Sequence, residues 1–125
     1  MFFSEWSRVG INKQSDYAIL TNEITKAWSG KTIQEYKQFK DLKKENLRDN
    51  MTNLELVLNM LAEVSTKELS EQDDPTTMDE SKILAQKGGG VAKLAKDELE
   101  SQLKKKVVTS KNAKEIHFNK KNQLN

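Results

Sequence analysis

The chain has 125 residues, enough for one hydrophobic core and too few for two well-packed ones. Hydrophobic residues make up 35% and charged residues 32%, a balance that predicts an elongated or oligomeric protein with much solvated helix surface. The absence of cysteine excludes disulfides, thiolate zinc sites and thiol nucleophiles, and a formal net charge of +2 is too small to imply nucleic acid unless the charge is unevenly spread.

The first fourteen residues carry Phe2, Phe3, Trp6, Val9 and Ile11, an apolar opening expected to pack on something. Glu5 and Arg8 interrupt it where the apolar stretch of a signal peptide should continue, and no run approaches the roughly 18 apolar residues of a membrane span. A soluble, cytoplasmic protein is expected. A first helix is predicted from Ser15, with Ile19, Leu20, Ile24, Ala27 and Trp28 at helical spacing and Gly30 as its stop. Thr32 to Glu35 has the form of a capping box, and Ile33, Tyr36, Phe39, Leu42 and Leu47 predict a second helix. Thr52 to Glu55 repeats the box before the most apolar helix of the chain, where Leu54, Val57, Leu58, Leu61 and Val64 form a broad stripe. That stripe is read as the centre of the core or a homodimer seam, and is the candidate partner face.

Residues 71–77 contain the single proline, Pro75, and no large apolar residue, which predicts a linker. Beyond it a short helix from Met78 to Lys87 is expected to meet Gly88, Gly89 and Gly90. A longer one from Val91 to Lys105 should then place Val91, Leu94, Ala95, Leu99 and Leu103 on one face. No β alternation of useful length is present. The fold class is therefore all-α: about five helices in two small subdomains, 1–70 and 78–116, joined by the acidic linker 71–77, with a flexible basic tail at 117–125.

The three glycines raise the question of a phosphate loop, since free N–H groups at a helix start favour anions. Gly88 and Gly90 supply the first two glycines of GxGxxG, but the third position holds Lys93, and the preceding segment reads as helix instead of strand. No Walker spacing is met either. The favoured reading is a helix–helix corner, with Gly88 left-handed and the next two glycines reversing the chain. The acids at 71–80 lack the glycine and closing glutamate of a calcium loop, and His117 stands near the tail with no partner acid except Glu115. No nucleophile, base and orienting group assemble, so a non-enzymatic protein without metal, cofactor or small-molecule substrate is expected.

Lysines concentrate at 104–121. Two sets of basic residues are candidate DNA contacts: Lys37, Lys40, Lys44 and Arg48, spaced to line one helix face, and Lys87, Lys93, Lys104, Lys105, Lys106 and Lys111. Solvated, internally neutralised surface is the competing reading, with Asp41 and Glu45 beside the first set.

Four blocks in order carry a family resemblance: Asn12 to Thr21, Asn46 to Leu56, Gly88 to Lys93, and Lys106 to Ala113. Together they resemble the C-terminal half of the DNA-damage-inducible protein D family, with related segments in phage antirepressor-like proteins of the BRO family. The resemblance spans roughly residues 11 to 115 and lacks the BRO-type N-terminal domain, thought to bind DNA, that precedes this region in such proteins. It implies a link to the SOS response or prophage regulation through a protein partner such as a recombinase or repressor. The expectation is an interaction or oligomerisation module, with direct sequence-nonspecific DNA binding through lysine-rich faces as the alternative.

Overall fold

The computed structural model describes residues 14–116. The stretch holding Phe2 to Ile11, His117 and the tail 117–125 lie outside them. Among the described residues the chain is all-helical: α1 (Gln14–Ser29), α2 (Ile33–Phe39), a 3-10 turn (Arg48–Asn50), α3 (Asn53–Asp73), α4 (Met78–Leu103) and a last turn at 113–116.

The local signals act as capping chemistry requires. Gly30 ends α1 at φ 81°, its N–H bonded to the Lys26 carbonyl. Thr32 and Glu35 close one capping box, and Thr52 and Glu55 the other. Thr77 caps α4 by accepting from the Glu80 N–H.

Tertiary packing overrides the expectation in three places. First, α2 stops at Phe39, and Asp41 turns left-handed at φ 59°, so Leu42 and Leu47 reach the core from a loop instead of a helix face. Second, α3 runs through Glu71 and Gln72 to Asp73, which shortens the connection to 74–77. One cluster holding Trp28, Tyr36, Leu58, Ala85, Ala92 and Val107 draws on both sides of that turn, so the described residues of 1–70 and those of 78–116 contribute to one core. Third, Gly88, Gly89 and Gly90 are not a corner: α4 passes through all three without a break, and none has a positive φ.

What the glycines provide is proximity. A Cβ on Gly88 would stand 2.0 Å from the Thr66 Oγ1 and 2.7 Å from its Cα. A Cβ on Gly89 would stand 2.4 Å from that of Ala27. One glycine thus lets α3 in and the next lets α1 in, both at backbone distance. The seam continues in small buried residues, Ala62, Thr66 and Ser70 on α3, and Ser81, Ala85 and Ala92 on α4. Val91 and Leu94, expected on one face with Ala95, Leu99 and Leu103, lie outside the stripe of residues that α4 buries and stay exposed.

Candidate functional site

The stripe on α3 divides in two. Leu58 is 3% exposed and belongs to the core, a correction to its place in the partner face. Leu54, Val57, Leu61 and Val64 are 37%, 60%, 37% and 54% exposed. At about 100° per residue, they lie on the side of the helix away from Glu55, Leu58, Asn59, Ala62, Thr66 and Ser70, which it buries. Their 3-4-3 spacing is that of a coiled-coil seam, and exposed Met60 widens it.

The candidate DNA contacts do not form one face. The helix ends before Lys44 and Arg48, so the spacing that aligned them with Lys37 has no helix to act on. Lys40 is fully buried and cannot meet a phosphate. Arg48 is held by both oxygens of Glu63, at 3.2 and 3.1 Å, and Lys93 by Asp97 at 3.0 Å. The Lys93 ammonium holds the Asp97 carboxyl below its usual range. Lys44, Lys87, Lys104, Lys105, Lys106 and Lys111 are exposed; Lys104 to Lys106 share the turn after α4, while Lys44, Lys87 and Lys111 lie on other elements. Lys37 and Arg48 meet only as walls of a shallow cleft of about 250 Å³, with Asn46, Asn59 and Glu63.

The residues that the sequence reading missed are those around Lys40. Its ammonium lies 2.8 Å from Glu55, both side chains being 0% exposed. The Tyr36 hydroxyl donates to the other Glu55 oxygen, and the Thr109 N–H reaches that same oxygen at 3.3 Å. The Thr52 N–H completes the shell around the carboxylate at 2.9 Å. Burial first, and the neighbouring carboxylate second, push the Tyr36 phenol far above its normal range, so it stays protonated and donates. Trp28 leans on Tyr36 with ring centroids 6.1 Å apart, and its indole N–H donates to Asn59. The only sequence signal was Glu55 in its capping box. Nothing local marks the same carboxylate as the partner of a lysine fifteen residues earlier.

This network fastens the end of the described chain. After α4, residues 107–113 return across the loop following α2. The Lys40 ammonium donates to the Lys111 carbonyl at 2.6 Å, the Asn112 amide to the Lys40 carbonyl at 3.2 Å, and the Ala113 N–H to Asn50 at 2.7 Å. Val107 sits in the core. The Lys40 ammonium, both Glu55 oxygens and the Tyr36 hydroxyl are all engaged, while the buried Thr109 hydroxyl has no hydrogen-bond partner among the described residues. Among the described residues no group of three or more histidine or carboxylate side chains could hold a metal ion, and no helix is long and apolar enough to cross a membrane. No protein-family model matches the chain, and no curated protein or solved structure matches it.

Proposed function

We propose that this chain is a non-enzymatic interaction module that binds a protein partner through the outer stripe of α3, and that a second copy of the chain is one such partner. The observation carrying this reading is the exposure of Leu54, Val57, Leu61 and Val64 at seam spacing on a helix whose other face is already buried. Isolated apolar residues on a surface need no explanation, but four in register along one helix do. The resemblance to DNA-damage-inducible and antirepressor proteins would place that partner in DNA-damage or prophage control. Of its four blocks, Asn46 to Leu56 and Lys106 to Ala113 meet through Asn50, Glu55, Thr109 and Ala113.

Light scattering after size exclusion tests the self-association. The chain is expected to run as a dimer at high concentration and Val57→Glu as a monomer of unchanged helicity. A monomer at every concentration removes the second copy from the proposal.

A further inference from the structure

The groove that holds residues 107–113 engages the main chain at three points, beside the side-chain contacts of Val107 with the core and of Asn112 with the Lys40 carbonyl. Glu55 accepts the N–H of residue 109, Lys40 donates to the carbonyl of 111, and Asn50 accepts the N–H of 113. Three side chains therefore meet every second residue with alternating polarity, as a sheet edge would. None of these contacts depends on the path by which the segment reaches the groove, and Val107 adds a core contact at its start.

The connection that brings it from the same chain is short and strained. Lys104 caps α4 in the left-handed conformation at φ 58°, costly for a residue with a Cβ, and Lys104, Lys105 and Lys106 crowd three like charges into an exposed turn. Continuing α4 through these lysines would release the strain and suit their helix propensity, while carrying 107–113 away from its own groove. Short strained hinges of this kind favour exchange of an end segment between copies. The contacts back to Glu100 on α4, from the Val107 N–H at 3.0 Å and from the Lys106 ammonium at 3.9 Å, would be given up.

We propose that residues 107–113 are an exchangeable strap, and that the Lys40–Asn50–Glu55 groove of one copy receives the strap of a second copy to form a dimer independent of the α3 stripe. The test uses the full chain carrying Val57→Glu, so that the stripe does not contribute. It is unfolded, refolded at high and at low concentration, and resolved by size exclusion with light scattering. Refolding at high concentration is expected to give a dimer that persists for hours after dilution. Lys104→Ala, which favours continuing the helix, should raise the dimer share severalfold over Lys104→Gly, which favours the closed cap. Three outcomes overturn the proposal: only monomer in all variants, a dimer share equal in the two Lys104 variants, or a dimer that falls apart at once on dilution. A fluorescent peptide of residues 106–116 that binds the full chain without any such dimer also overturns it, since the groove then takes free peptide and not a second copy.

Discussion

Replacing Gly88 and Gly90 separately by alanine distinguishes a helix crossing from a corner. In a helix interior, alanine is favoured over glycine by about 0.8–1 kcal/mol. At Gly90 a new Cβ meets nothing within 4 Å, so that gain should appear in full. At Gly88 the same gain competes with a Cβ placed 2.6 Å from the Thr66 backbone nitrogen and 2.7 Å from its Cα, atoms that no rotamer change moves aside. Separating α3 from α4 costs on the order of 1–3 kcal/mol or more, as overpacked cores do. The propensity gain is common to both, so the two variants should differ by the overpacking cost, about 1–3 kcal/mol or more, with Gly90→Ala above the parent and Gly88→Ala below it once that cost exceeds the gain. For a domain this size each kcal/mol corresponds to roughly 4–8 °C, a separation easily read by circular dichroism at 222 nm during heating. If Gly88→Ala is as stable as Gly90→Ala, the close approach to Thr66 is not what those glycines provide. If Gly90→Ala is the damaging one, the chain turns there and α4 is not continuous.

Three further outcomes follow from the buried cluster and the surface charges. Lys40→Ala leaves the Glu55 carboxylate buried without its ammonium and should lose about 3–5 kcal/mol in urea unfolding, whereas Lys93→Ala, at an exposed pair, should change stability by less than about 1 kcal/mol. Because the folded Tyr36 phenol is held far above its unfolded value of about 10, the unfolded state releases a proton that the folded state keeps. Stability should thus decline as pH rises above about 10, and Tyr36→Phe should flatten that decline in urea midpoints taken between about pH 8 and 11. Titration with labelled DNA at two salt concentrations should show weak or no binding, because among the described residues the candidate contacts are buried, paired or, apart from Lys104 to Lys106, set on separate elements; tight binding that falls steeply with salt would restore the nucleic-acid reading.

The helix starts and the first stop were legible in the sequence because they depend on chemistry within four residues. Thr32 and Glu35, Thr52 and Glu55, and Gly30 each satisfy or end their own backbone. The all-α class followed from the same short-range periodicity. What tertiary structure decided is where those signals yield to distant neighbours. Three glycines in a row cost helix propensity, and a local reading breaks the chain there. Thr66 and Ala27, 22 and 62 residues away, come so close that only glycine fits at 88 and 89, and α4 stays whole. Likewise, spacing placed Lys40 with Lys37, Lys44 and Arg48, but burial beside Glu55 made it an internal ion pair that anchors the returning strap. On α3 the period identified one wide apolar stripe. Only the packing of α4 against Ala62 and Thr66 shows which part of it is core and which part faces outward, because a helix buries only the side that its neighbours reach and the period alone does not say which side that is.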